Sequence, residues 1–221
     1  MKKIIVCFLC LCYLPFLAGC LGENLTADTL PWVGDEPNLF MDDFSGQTGG
    51  WRTQEDRLSF VGYAQEGFRL WVNLPNYQVW SVPGLNFRDV NIYSRVQKIG
   101  GENDNLYGLM CRYQGEENHY AFLISSDGYY GIFKKQAGIQ NLLGMEQMGF
   151  SEIINRDDAA NDILVVCQGD QLALIVNEVE LFQVRDADFS YGDIGMIAGT
   201  RAEPGVDVLF DYLIVMKSSR K

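Results

Sequence analysis

The sequence predicts an all-β fold, an antiparallel β-sandwich. Three observations carry this. Short runs with apolar and polar residues in alternation recur from Leu39 onward, the mark of half-buried strands. Turn pairs rich in Gly, Asp and Asn separate these runs at short spacing. Helix signals are weak throughout: Gly144 to Ile154 has room for one helical turn, but its glycines exclude a long helix. Many short strands with glycine-rich turns make a sandwich or a barrel.

The elements follow in order. Phe40-Met41-Asp42-Asp43-Phe44 opens the domain. Phe68 to Leu74 places Phe68, Leu70, Val72 and Leu74 on one face. In the next strand Val90, Ile92, Ser94 and Val96 share one face, and Asp89, Asn91, Tyr93, Arg95 and Gln97 the other. Leu106–Tyr113, His119–Ser125 and Gly128–Lys135 come next, with Asp127-Gly128 as a tight hairpin turn. Gly169-Asp170 separates Ile163–Gln168 from Leu172–Val176, and Asn177-Glu178 turns the chain into Val179–Val184. Gly192–Ala198 and Val206–Met216 are the last strands. The closing run Val208–Val215 and the opening one are both aromatic and acidic, so they are expected to pair or to lie close. Residues 39–217 thus read as one domain.

Ahead of it, Met1-Lys2-Lys3 precedes an apolar run from Ile4 to Ala18. A bilayer span needs roughly 20 residues, and Pro15 interrupts this run, so a secretory signal peptide over 1–19 fits better. Leu17-Ala18-Gly19-Cys20 resembles the bacterial lipobox. That resemblance implies cleavage before Cys20 and a diacylglyceryl thioether on its sulfur, usually with further acylation such as palmitate at the new N-terminus. Two chains anchor stably where one does not. Residues 20–38 lack periodicity, are rich in Gly, Asn, Asp, Glu, Thr and Pro, and read as a flexible tether. The implied location is the bacterial cell envelope, outside the cytoplasmic membrane or at the cell surface.

Of six cysteines, only Cys111 and Cys167 fall in the domain. An even pair outside the cytoplasm is a candidate disulfide, with two buried thiols as the alternative. A bridge would close a loop of about 57 residues, worth about 4 kcal/mol on the chain-entropy account. The formal net charge is −12, and loss of Lys2 and Lys3 with the leader makes the mature chain more acidic. This excludes a basic nucleic-acid footprint and argues against docking on anionic lipid by charge.

Several landmarks together resemble the concanavalin A-like lectin/glucanase superfamily, the jelly roll of laminin G-like modules. They are Asp43-Phe44 with Gly50-Trp51, Tyr107-Gly108-Leu109, Cys111-Arg112-Tyr113, Tyr120 to Gly128, Asn161 through Val176-Asn177, then Asp186, Phe189, Gly192, Gly195 and Phe210-Asp211. Within that superfamily they look like bacterial domains related to the 3-keto-disaccharide hydrolase family, with Glu178 where glycine is usual. The resemblance implies sugar or peptide binding on a concave face or rim loops, and a structural calcium near the chain ends. Asp211, with Asp43 or Asp42, would supply ligands to it, calcium taking about six to eight oxygens. Strand-edge caps or ion pairs are the other reading of these acids.

Much catalytic chemistry is absent. The single histidine, His119, reads as a surface or rim residue. There is no His-Glu-x-x-His, no Gly-x-Ser-x-Gly, no phosphate loop and no Glu-x-Asp-x-x-Glu. A retaining glycosidase needs two carboxylates about 5 Å apart, and the strand pattern offers no obvious pair. A sugar surface uses aromatic rings and planar polar groups. Asp89, Tyr93 and Arg95 have that make-up, with Arg112 expected beside them and Trp71 and Trp80 joining from the preceding hairpin. A solvated sheet face has the same composition. Tyr129, Tyr130 and Phe133 read as core. The reading is a non-catalytic binding module whose ligand is a glycan or an envelope protein. The alternatives are a glycoside-acting enzyme and a structural accessory domain of an envelope complex.

Overall fold

The computed structural model describes residues 38–64 and 67–218. The leader, Cys20 and nearly all of the tether lie outside them. The described residues form sixteen strands and no helix: β1 (Asn38–Asp42), β2 (Gln54–Glu55), β3 (Ser59–Ala64), β4 (Gly67–Val72), β5 (Gln78–Ser81), β6 (Val90–Gly100), β7 (Asn105–Tyr113), β8 (His119–Ile124), β9 (Tyr129–Gln136), β10 (Ile139–Leu142), β11 (Gly149–Phe150), β12 (Asn161–Gln168), β13 (Gln171–Val176), β14 (Val179–Arg185), β15 (Asp193–Thr200) and β16 (Val206–Lys217).

These strands make two antiparallel sheets. One has nine strands in the order β14-β13-β12-β6-β16-β4-β3-β2, with β1 also paired to β16. The other has seven in the order β10-β9-β8-β7-β15-β5, with β11 paired to β9. The opening and closing strands do pair, Asp42 opposite Leu213. Alternation then builds the core. Phe68, Leu70, Ile92, Val96, Val165 and Phe210 from the nine-stranded sheet meet Tyr107, Leu109, Tyr120, Phe122, Ile194 and Met196 from the seven-stranded one. A disulfide joins Cys111 of β7 to Cys167 of β12, so it ties one sheet to the other through the core. The fold is an antiparallel jelly-roll sandwich, the sandwich expected from the alternation and the jelly roll from the resemblance.

Strands with clear alternation sit where the sequence puts them, within about two residues at each end, except that β6 runs on to Gly100. Five are not legible there. β3 carries Gly62 mid-strand, β5 has four residues, and β2, β10 and β11 are shorter than a full alternation pattern can show. The Gly144–Ile154 segment makes no helical turn. It supplies β11, where Gly149 crosses the Tyr130 ring so closely that a Cβ would sit 2.5 Å from it. Asn177 and Glu178 both have positive φ, 45° and 76°. The hairpin therefore keeps a left-handed turn even with Glu178 in place of glycine.

Two of the bulges displace residues that the sequence reading singled out. Against β6, Phe210 faces Val96 and Tyr212 faces Arg95, so Asp211 is an extra residue. Inward-facing positions shift from Phe210 to Leu213 and Val215. Against β15, Met110 faces Gly195 and Tyr113 faces Asp193. Cys111 and Arg112 together oppose Ile194, and Arg112 takes a left-handed φ of 52°. Its side chain turns away from the expected solvent face. It is 2% exposed and lies in the other sheet from Tyr93 and Arg95. Its guanidinium donates to the Phe189 carbonyl at 2.7 Å and approaches the Arg88 carbonyl and the Asp89 carboxylate, each at 3.4 Å.

Candidate functional site

The outward face of the seven-stranded sheet carries a second hydrophobic cluster. Its strands send alternate residues there: Leu106, Met110 and Tyr113 from β7, Ala121 and Leu123 from β8, and Ile197 from β15. Trp80, Phe133 and Met148 lie over it, partly exposed. Burying apolar groups on both faces of one sheet is unusual for an open antiparallel sandwich, whose outer face is normally solvated.

A cleft of about 660 Å³ opens beside this cluster. β5 supplies Gln78 and Trp80, β9 supplies Lys135, β10 supplies Gln140, the end of β15 supplies Thr200, and Arg201 follows directly after it. The Trp80 indole N–H donates to the Tyr113 hydroxyl at 3.2 Å, which fixes the ring plane. Lys135 Nζ stands 5.9 Å from the Trp80 ring centroid. The rim loop is held across the sheet end. Asn76 N–H donates to the Arg201 carbonyl at 2.7 Å, Tyr77 N–H to Thr200 Oγ1 at 3.2 Å, and the Thr200 hydroxyl to the Leu74 carbonyl.

A second cleft of about 540 Å³ adjoins the first, sharing Asp104 and Arg201 in its lining. Those two form an ion pair at 2.8 Å. Beyond it lie Tyr129, 42% exposed and edge-on to Phe150, and Asp127, whose carboxylate accepts from the Ser125 hydroxyl. The two clefts present aromatic surface, amide side chains and charged groups at a rigid sheet face. Such a surface suits a polar ligand with apolar ring faces.

His119 is not the surface residue expected. It is 3% exposed, stacked on Tyr113 at 5.6 Å. Burial pushes its pKa down to about 4; the Gly115 carbonyl opposes this and the Lys135 charge adds to it. Neither ring nitrogen meets hydrogen-bond geometry, so that carbonyl acts as a nearby dipole. The unfolded chain takes up a proton near pH 6.5 that the folded chain refuses until about pH 4. Stability therefore falls as pH drops through that window, by up to about 3 kcal/mol. His119→Phe keeps the stack and has no proton to gain. Relative to wild type it should gain about 2–3 kcal/mol between pH 7 and pH 4.5 in urea unfolding. An unchanged difference would show that His119 is not held neutral.

Of the sugar-surface residues singled out by sequence, Trp80 lines the first cleft and the others lie outside both. Tyr93 and Arg95 face outward on the nine-stranded sheet. Tyr93 is buried against Tyr212, ring centroids 5.7 Å apart. Arg95 pairs with Asp162 and Asp211, each at 3.5 Å. Trp71 is on β4 of that sheet and Trp80 on β5 of the other, so they do not share a face. Asp89 accepts from Gly169 N–H at 2.7 Å and meets Arg112. None of Asp89, Tyr93, Arg95, Arg112 or Trp71 lines the two clefts.

The candidate calcium ligands are Asp42 and Asp43 at the end of β1 and Asp211 on β16. Asp43 is engaged by the Ser45 amide and hydroxyl, at 3.0 and 2.7 Å, which hold its carboxyl below the usual range. Asp42 accepts from the Trp51 indole, and Asp211 already faces a cation, Arg95. Among the described residues no three His, Cys, Asp or Glu side chains form a metal-ligand group.

No protein-family model and no curated protein matches this chain. Solved structures do. A carbohydrate-binding module from Bacillus subtilis, CBM66, aligns with TM-score 0.63 and 15% identity over 76% of this chain and 96% of its own. A Bacillus subtilis protein of unknown function with a galectin-like fold gives 0.62 and 11% over 84% and 99%. A Bacillus licheniformis β-glucanase gives 0.58 and 12% over 81% and 98%. At these identities the likeness establishes the jelly-roll β-sandwich fold and nothing finer.

Proposed function

We propose that this chain is an envelope lipoprotein that uses the outward face of its seven-stranded sheet to bind glycan. The observation that carries the reading is the Trp80 cleft: an oriented indole bordered by Gln78, Gln140, Lys135 and Arg201. Sugar rings present axial C–H groups to an aromatic face and hydroxyls to the amides and charges around it. The printed descriptions of the structural neighbours, a carbohydrate-binding module and a β-glucanase among them, support the same class of ligand. Full-length protein in detergent micelles should give selective signals on a glycan array. A uniformly blank array contradicts the reading.

The lipid anchor rests on the lipobox at Leu17–Cys20. Cys20→Ala should move the protein from the membrane to the soluble fraction of cells. Unchanged membrane retention would sink the anchor.

One observation favours a second reading, an enzyme acting on glycosides and related to the 3-keto-disaccharide hydrolases. Asp104 and Asp127 line one cleft. Each already has a partner, Arg201 and Ser125, which favours binding over catalysis. Release of reducing sugar or keto-sugar from an array-selected glycan, abolished by Asp127→Asn, would reverse that preference.

A further inference from the structure

We infer that the glycan taken by the Trp80 cleft carries acidic groups, a uronic acid or an equivalent anionic sugar. This rests on the glycan reading above and adds the charge of the ligand.

The chain as a whole is acidic, with a formal net charge of −12. The cleft is not. Its lining holds two cations, Lys135 and Arg201, and one carboxylate, Asp104. Asp104 is neutralised by Arg201 at 2.8 Å. Lys135 takes part in none of the ion pairs among the described residues. Its strand neighbour Lys134, by contrast, is engaged by both Asp186 and Asp188. An acidic protein has thus left one cation without a carboxylate partner at its aromatic cleft while pairing the adjacent one.

The position of that cation matters as well. Lys135 Nζ is 5.9 Å from the Trp80 centroid. A sugar stacked on an aromatic face lies about 4 Å from it, at van der Waals contact. The ammonium therefore lies on the same side of the ring as a sugar stacked beneath it, within reach of a carboxylate that the sugar carries. It would form a charge-assisted hydrogen bond there, stronger than one to a hydroxyl. At physiological salt, charges beyond about 8 Å are largely screened, so Lys135 acts on a ligand in the cleft more strongly than the distant part of the protein's net charge.

The test uses full-length protein in detergent and matched hexasaccharides. These are the β-1,4-linked hexamers of glucose and mannose, an α-1,4-linked galactose hexamer, and the glucuronate, mannuronate and galacturonate hexamer of each linkage. Isothermal titration should show at least one uronate bound about tenfold more tightly than its neutral counterpart at 50 mM salt. The ratio should shrink in 500 mM salt. Lys135→Gln should bring it to about one and Lys135→Arg should keep it. Equal affinity for neutral and acidic hexamers, or a ratio that survives Lys135→Gln, overturns the inference and leaves the glycan reading standing. Binding to none of the six overturns the inference, and a uniformly blank array overturns both.

Discussion

Replacing Cys111 and Cys167 together by alanine lowers the unfolding free energy by about 4 kcal/mol. The bridge joins residues separated by 56 positions. Its entropic effect on the unfolded chain is accordingly near the upper end for disulfides. Its location adds to this. Cys111 belongs to the seven-stranded sheet and Cys167 to the nine-stranded one, and both sulfurs lie in a fully buried core. Without the bond the two sheets are held by packing alone, and alanine leaves unfilled volume on each side. For a domain of this size the loss corresponds to a melting temperature lower by roughly 8–16 °C. Thermal melts of wild type and the double variant read it directly. A loss below about 1 kcal/mol would contradict the assignment of the bridge as a main stabiliser.

The second large effect is expected at Arg112. Arg112→Met should cost about 3 kcal/mol in urea unfolding. Methionine retains the apolar stem but supplies no donors. The Phe189 carbonyl, bonded at 2.7 Å to Arg112 and belonging to a buried residue, is then left without that donor. The Asp89 carboxylate loses its charged neighbour as well. Burial lowers the pKa of Arg112, an effect countered by Tyr120 and Asp89. The charge is thus held in place by its partners and not by solvent. Arg112→Lys should recover only part of the loss. A single ammonium cannot reach the Arg88, Phe189 and Asp89 oxygens with the geometry of a planar fork. Equal stability of Arg112→Met and wild type would mean that the network is energetically idle.

The same residue shows how far the sequence could be read. Alternation in Phe68–Leu74 or Asp89–Gln97 reports which residues share a face, and the structure honours it. A bulge shifts that register by one without any change in local composition. Arg112 and Asp211 are extra residues of this kind. A period-two reading sends Arg112 to solvent, whereas the fold buries it. His119 failed for a related reason. A lone polar residue at a strand start looks like a rim position, but here an aromatic neighbour stacks over it.

The candidate site was harder to see than the fold. Trp80 is visible as a sugar-stacking candidate, but so is Trp71, the fifth residue of the preceding strand. Period tells which face a side chain takes within its sheet. It does not tell which sheet the strand enters. β4 goes to the nine-stranded sheet and β5 to the other. The remaining groups of the cleft come from Asp104, Lys135, Gln140 and Arg201, brought together only by the strand order. The aromatic character of Tyr129 suggested core, yet it is exposed in the adjoining cleft.

The most direct test of the account compares Trp80→Ala with Trp71→Ala. Each is titrated, as full-length protein in detergent, with the saccharide that gives the strongest array signal. Loss of an aromatic stacking platform typically costs about 1–3 kcal/mol. Trp80→Ala should therefore weaken binding by about tenfold or more, while Trp71→Ala binds as wild type does. Undiminished binding by Trp80→Ala, with loss in Trp71→Ala, would move the site to the outer face of the nine-stranded sheet and contradict the account.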